Sequence, residues 1–169
     1  MSVALDMGIR AGVDEGEDLK GRYLVSLKLI ERLHRLLLDV IKDEFERLGR
    51  SDVNSVQAML LYNIGDAELT AGELTSRGYY LGSNVSYNLK KLVDADYISH
   101  QRSTTDRRSV RVRLTEKGQD VCRVVDHLYQ RQLKSLQQVG GVADNDLALL
   151  NKALVRLERF WSDQIRYQL

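Results

Sequence analysis

Apolar residues recur with helical spacing over most of this chain. Between residues 19 and 48 they form two neighbouring stripes, so the first predicted helix has a wider apolar arc than one core requires. Further helices are predicted over residues 51–65, 70–77, 82–94, 115–139 and 144–169. The predicted stops and caps are Gly49, Gly65 and the pair Gly140–Gly141 as stops, Thr70 with Glu73 as a capping box, and Thr115 as an N-cap. The last predicted helix carries Phe160 and Trp161 close to the chain end. We therefore expect the first helix and the last two to form a bundle between two subunits.

The period changes from helical spacing to strict alternation after residue 94. Val110, Val112 and Leu114 alternate with Arg111 and Arg113, which predicts a half-buried strand. Residues 97–103 can pair with this strand across a polar tip at 104–108. Two short helices joined by a tight turn, with polar side chains on the second, form a helix-turn-helix pattern. The predicted class is mainly α with a small β-hairpin.

The segment over 82–94 has two faces of opposite chemistry. Leu89 and Leu92 lie on an apolar face. The other face carries polar, aromatic and basic residues: Ser83, Ser86, Tyr87, Lys90 and Lys91. Such a face beside a basic hairpin suits a DNA groove and its phosphates, although an ordinary solvated helix face has a similar composition. At the hairpin tip, Arg107 and Arg108 suit a narrow minor groove, or they protect a strand edge.

Charge is distributed unevenly although the net charge is only +1. Residues 1–18 carry five acids and one base, which favours a mobile acidic tail or a short arm that packs on a partner subunit. Residues 77–117 carry nine bases and four acids. Positive charge concentrated in the predicted helix–hairpin segment is typical of a nucleic-acid binder.

Other classes of site lack a signal in the sequence. The single cysteine, Cys122, excludes an intramolecular disulfide, and its apolar-spaced position favours a core residue over a redox sensor. The three histidines, His34, His100 and His127, have no metal-ligand spacing. We find no catalytic set, membrane segment or secretion signal. The expectation is a cytoplasmic protein that is not an enzyme and has no cofactor and no metal.

One motif resembles a known family. Asp106 and Arg108 form an Asp-x-Arg pair, and after the alternating strand come Leu114, Thr115 and Gly118 in a Leu-Thr-x-x-Gly pattern. This combination resembles the end of the wing in the MarR family of winged-helix transcription regulators. The element order from about residue 20 to 169 is also similar to that family.

The resemblance implies a winged helix-turn-helix over 51–115 and a dimerisation region over 19–50 and 116–169, together one structural unit, with 1–18 as the arm. It implies a homodimer that binds double-stranded DNA through Ser83, Asn84, Ser86, Tyr87, Lys90, Lys91, Arg102, Thr105, Arg107 and Arg108. Asp106 would orient a wing arginine. A small aromatic or anionic effector would bind near Lys28, His34 and Tyr62, residues that ordinary interface packing explains equally well.

The expected function is that of a homodimeric repressor which binds a pseudo-palindromic operator and is released by the effector. The alternative is a winged-helix protein-interaction or architectural DNA-binding module without a small-molecule switch. Three positions depart from the family pattern. Asp96 replaces a frequent glycine, and His100 and Tyr87 each replace a frequent arginine. Because aspartate tolerates a left-handed backbone better than most residues, we expect the turn at Asp96 to be kept.

Overall fold

The computed structural model describes residues 11–76, 82–102 and 110–168. Within these ranges the elements are α1 (Ala11–Arg47), α2 (Ser55–Ile64), β1 (Leu69–Thr70), α3 (Ala71–Ser76), α4 (Gly82–Asp94), β2 (Ile98–Arg102), β3 (Val110–Leu114), α5 (Glu116–Gln138) and α6 (Asp144–Tyr167). This order is that of a winged helix-turn-helix flanked by long helices. The predicted fold class is confirmed.

The chain forms two compact units whose boundary lies inside α5, between Cys122 and Arg123. In the first unit, α2 supplies much of the core. It buries Ala58, Met59, Leu60, Leu61 and Ile64. Full burial of a leucine side chain is worth about 1.5–3 kcal/mol, so this ten-residue helix stabilises the unit strongly. Side chains of every other element of the unit complete the core: Ile41, Phe45, Leu69, Leu74, Leu89, Leu92, Ile98, Val112, Leu114 and Val121.

The hairpin belongs to a three-stranded antiparallel sheet with strand order β1-β3-β2. In β3, Val112 and Leu114 are buried while Arg111 and Arg113 are exposed, which confirms the predicted alternation. His100 of β2 and Leu69 of β1 both pair with Val112. Only two strands were predicted, because β1 has two residues and is too short to show alternation.

Two helix starts differ from their predicted positions. The first helix begins at Ala11, not near residue 19, and Asp18 pairs with Arg22 one turn later in the added part of the helix. Of the expected acidic arm, residues 1–10 lie outside the described residues. The second helix begins at Ser55 and not at Ser51–Asp52, because Asn54 caps it in a reciprocal box with Gln57.

Other predicted boundaries are confirmed. Gly49 and Gly65 end α1 and α2 with positive φ angles of 66° and 55°. Thr70 and Glu73 form the predicted capping box of α3, with Glu73 N–H 3.1 Å from Thr70 Oγ1 and Thr70 N–H 2.6 Å from Glu73 Oε2.

The second unit contains the rest of α5, a short connection and α6. The connection begins after Gln138 and contains Gly141, whose φ of 63° confirms a break at the paired glycines. Asp146 then accepts the N–H of Ala143 at 2.9 Å and so satisfies one amide at the start of α6. Within the described part of the chain, α6 has no buried residue.

Candidate nucleic-acid interface

Helix α4 presents a basic and aromatic face outward. Leu89 and Leu92 are buried, at 7% and 1% exposure, and they fix the inward side of the helix. Ser86, Tyr87, Lys90 and Lys91 are exposed, and the first turn of the helix contains no acid. The N-terminal end of a helix also carries partial positive charge. The first turn of the helix can therefore approach phosphates without opposing negative charge.

The turn from α4 into β2 is fixed by a Schellman motif. Tyr97 N–H donates to Leu92 O at 2.8 Å, and Asp96 N–H donates to Val93 O at 3.0 Å. Asp96 has a φ of 61°, the left-handed conformation expected for a residue at a common glycine position. Since β2 begins at Ile98, this turn sets the direction in which the hairpin leaves the helix.

Residues at the start of α5 contact the backbone of the turn between α4 and β2, and these contacts explain the Leu-Thr-x-x-Gly pattern. The Thr115 hydroxyl donates to Asp96 O at 2.7 Å and accepts Gly118 N–H at 3.2 Å, so it also caps α5 as predicted. Lys117 Nζ donates to Ala95 O at 2.9 Å and lies 4.2 Å from the centroid of the Tyr97 ring. At Gly118 an added Cβ would lie 2.3 Å from Tyr97 O. Only glycine allows this approach.

A polar cluster of Arg50, Asp52, Tyr97 and Asp120 holds the end of this turn, because Tyr97 directly follows Asp96. Arg50 donates to Asp52 at 3.0 Å and to Asp120 at 2.7 Å, and the Tyr97 hydroxyl donates to Asp52. The hydrogen bond from Arg50 lowers the pKa of Asp52 to about 2, and the Tyr97 hydroxyl adds to this effect. Burial, followed by the hydrogen bond to Asp52, raises the pKa of Tyr97 to about 12.

This cluster predicts a loss of stability in acid. A carboxyl whose pKa is 3.8 before folding and about 2 after it stabilises the folded state above pH 3.8, and the contribution is lost as the pH falls towards 2. The Asp52 side chain is 39% exposed, so screening by water reduces the effect to about 1 kcal/mol. Urea denaturation should show the stability advantage of the parent over Asp52→Asn shrinking by that amount between about pH 4 and pH 2. A difference that stays constant with pH would contradict the assignment.

Some of the predicted contact residues lie in described elements and others do not. Ser83 and Asn84 lie in the first turn of α4 and Arg102 ends β2. Thr105, Asp106, Arg107 and Arg108 lie outside the described residues. All of these assignments remain predictions.

The predicted effector residues lie on two helices. Lys28 and His34 are exposed on α1, and Tyr62 is half-buried on α2. Six residues of α-helix separate Lys28 from His34 by about 9 Å along the axis and about 120° around it, so the two side chains do not share one face. Their role also remains a prediction.

Sequence reasoning missed the cluster around Arg50. Arg50 and Asp120 are 70 positions apart in the chain, and Tyr97 and Asp52 are 45 apart. No local pattern reports such a pairing. The one local signal of the cluster was that two charged residues, Arg50 and Asp52, follow the predicted helix stop at Gly49.

Comparison with known proteins agrees with this geometry. Residues 53–118 match the model of a winged helix DNA-binding domain. The exopolysaccharide II synthesis transcriptional activator ExpG of Rhizobium meliloti is 39% identical over 165 residues, which are 95% of this chain and 83% of that protein. AbsC, a MarR family transcriptional regulator from Streptomyces coelicolor, superposes with a TM-score of 0.65 at 20% identity, covering 83% of this chain and 95% of AbsC.

The chain belongs to the MarR family. A mutant of MarR itself from E. coli, complexed with operator DNA, superposes with a TM-score of 0.62 at 20% identity, covering 77% of this chain and 91% of that one. This MarR-family protein is thus a transcription regulator with a winged-helix DNA-binding domain, and not an enzyme.

Two further findings concern other classes of site. Among the described residues of this MarR-family protein, no group of three or more His, Cys, Asp or Glu side chains could hold a metal ion. Over the same ranges no helix combines the length and the apolar character that crossing a membrane requires.

Proposed function

We propose that this protein is a homodimeric regulator that binds a pseudo-palindromic operator in a sequence-specific manner and is released by a small aromatic or anionic effector. The observation that carries the DNA-binding part is the outward face of α4, where Ser86, Tyr87, Lys90 and Lys91 are exposed above buried leucines. Ser83 and Asn84 in the first turn extend this set, and Arg102, Thr105, Arg107 and Arg108 would contact the flanking phosphates or minor groove, with Asp106 orienting one arginine.

Exposed apolar surface on the long helices supports the dimer. In the single chain these helices leave large apolar side chains 37–71% exposed: Leu19, Leu24, Val25, Leu29, Leu33 and Leu36 of α1, and Leu149, Leu150, Leu154, Val155 and Phe160 of α6. An apolar groove of about 770 Å³ also runs along the end of α5, lined by Leu128, Leu133, Leu136 and Val139. Apolar faces of this length are typical of surfaces that a partner subunit covers.

Two-fold symmetry then sets the form of the operator. Two copies of α4 related by a dyad would read two half-sites about one helical turn apart, roughly 10 base pairs. Effector release would follow if the ligand binds better to a conformation in which the two copies of α4 are wrongly spaced. Lys28, His34 and Tyr62 are the proposed contacts, on the basis of the family resemblance.

The direction of regulation has two candidates. The family resemblance favours repression, whereas the relative with 39% identity is an activator by name. A promoter fusion carrying the operator, measured with and without the protein, separates them. Lower reporter output in the presence of the protein indicates repression, and higher output indicates activation.

Selection from random duplexes near physiological salt tests the proposal. Enrichment of one inverted repeat, lost in Arg107→Ala/Arg108→Ala, would support a sequence-specific dimer whose hairpin contacts DNA. Retention without enrichment, with affinity falling steeply as salt rises, would favour the architectural alternative. A duplex from the enriched pool then serves to screen small aromatic acids for release.

Lys90 is expected to act through phosphate alone. Log affinity falls as log salt concentration rises, and each lysine–phosphate contact contributes about 0.9 to the steepness of that fall. Lys90→Ala removes one such contact from each subunit of a dimer, so the slope should become less steep by about 1.8. The loss should be equal for the selected operator and for unrelated duplexes. Lys152→Ala, which removes an exposed lysine of α6, is the control and should leave the slope unchanged. An unchanged slope in Lys90→Ala would remove this residue from the interface.

A further inference from the structure

Tyr87 differs in chemistry from the rest of the outward face of α4. Its side chain is 63% exposed, although it is a large aromatic residue. It precedes buried Leu89 by two positions, which in an α-helix is a rotation of about 200°, so its ring points away from the core. The exposed residues around it, Ser86, Lys90 and Lys91, are polar or basic.

Lys91 restricts the Tyr87 ring. Its ammonium group lies 5.7 Å from the ring centroid, within the range of a cation–π interaction between residues one turn apart. Such a contact orders two flexible side chains before any ligand binds. It also occupies one side of the ring with charge, so the rim and the other side remain as the apolar part that a ligand can contact.

A recognition helix that reads base edges lies in the major groove, which offers few apolar partners for such a ring. Base edges present hydrogen-bond donors and acceptors there, and the one apolar group is the 5-methyl of thymine. Lysine and serine side chains can satisfy phosphates and polar edges, whereas an aromatic ring gains by covering a methyl group. We infer that Tyr87 is a specificity-determining residue that selects a thymine in each half-site through its 5-methyl group, while Lys91 holds the ring in place.

This inference rests on the proposed function and is tested on the selected operator. Each thymine is replaced singly by deoxyuridine, which removes only the 5-methyl group and leaves base pairing unchanged. Loss of one buried methyl group is expected to weaken binding about fourfold at the position read by Tyr87, and about 15-fold when both half-sites are changed. Other thymines should respond within about twofold.

Three variants locate the effect. In Tyr87→Ala the response to deoxyuridine should disappear, because no ring remains to cover the methyl group. In Tyr87→Phe it should persist, since the ring and not the hydroxyl makes the contact. Lys90→Ala is the matched control on the same face and should weaken all duplexes alike while keeping the deoxyuridine response. Circular dichroism confirms that each variant is folded.

The remaining outcomes overturn the inference in distinguishable ways. If a specific operator is selected but no thymine responds to deoxyuridine, the assignment to thymine is wrong and the proposed function stands. A response that persists in Tyr87→Ala shows that another side chain reads the methyl group. If selection yields no operator, the proposed function itself fails, and this inference fails with it.

Discussion

Gly118→Ala should destabilise the protein by about 3 kcal/mol, the upper end of the range for overpacking. The added Cβ would lie 2.3 Å from Tyr97 O and 3.4 Å from Leu114 Cβ. The obstructing atom is a backbone oxygen that already accepts a hydrogen bond from Thr115 N–H at 3.1 Å. Moving it would break this bond and shift the turn between α4 and β2. Urea denaturation of parent and variant measures the loss.

Gly21→Ala is the matched control for helix propensity. Gly21 also lies in a helix, but a Cβ there would meet nothing within 4 Å. Alanine is favoured over glycine in a helix by about 0.5–1 kcal/mol, so this variant should be slightly more stable than the parent. The same substitution is therefore expected to have opposite signs at two helical glycines. If Gly118→Ala were as stable as Gly21→Ala, the close approach of α5 to Tyr97 would be wrong.

Leu150→Glu should dissociate the proposed dimer. Leu150 is 49% exposed in the single chain, so a glutamate there disturbs the protomer little. In a symmetric dimer the change removes two leucines from the interface, each worth at least about 1.5 kcal/mol when buried. A total of about 3 kcal/mol raises the dissociation constant more than about 100-fold. Sedimentation equilibrium measures this, and operator affinity should fall in parallel because each monomer holds only one half-site.

Lys152→Glu provides the control for the dimer experiment. Position 152 follows Leu150 by two residues, a rotation of about 200°, and its side chain is exposed. The charge change there is larger than in Leu150→Glu, yet dimerisation should stay within a few-fold of the parent. Equal dissociation in both variants would point to a general charge effect, and a monomeric parent would refute the dimer itself.

Local signals in the sequence determined most of the fold. Helical spacing located every long helix, alternation located β3, and the stops at Gly49 and Gly65 follow from residues that tolerate positive φ. The left-handed turn at Asp96 was also predictable, because the residue type allows it and the neighbouring pattern requires it.

Contacts distant in the chain were not predictable in the same way. Asn54 was overlooked as a cap because Ser51 and Asp52 are equally good candidates by type, and only the fold assigns Asp52 to Arg50 and Tyr97. The short strand β1 exists because Leu69 and Thr70 pair with β3, which lies far from them in the sequence. The DNA contacts on α4 rest on charge and exposure. These quantities identify a face but not the bases that it meets.

The residues that hold the α4–β2 turn limit where the protein can be truncated. The residues that hold this turn include Arg50 before the family-model match at 53–118 and Asp120 after it. Ile41 and Val121, both fully buried, extend the same core in each direction. A shortened version confined to the matched segment would expose that core and leave Tyr97 without its carboxylate partner. Fusions and truncations that keep the DNA-binding part intact should therefore be cut before Ile41 and after Val121.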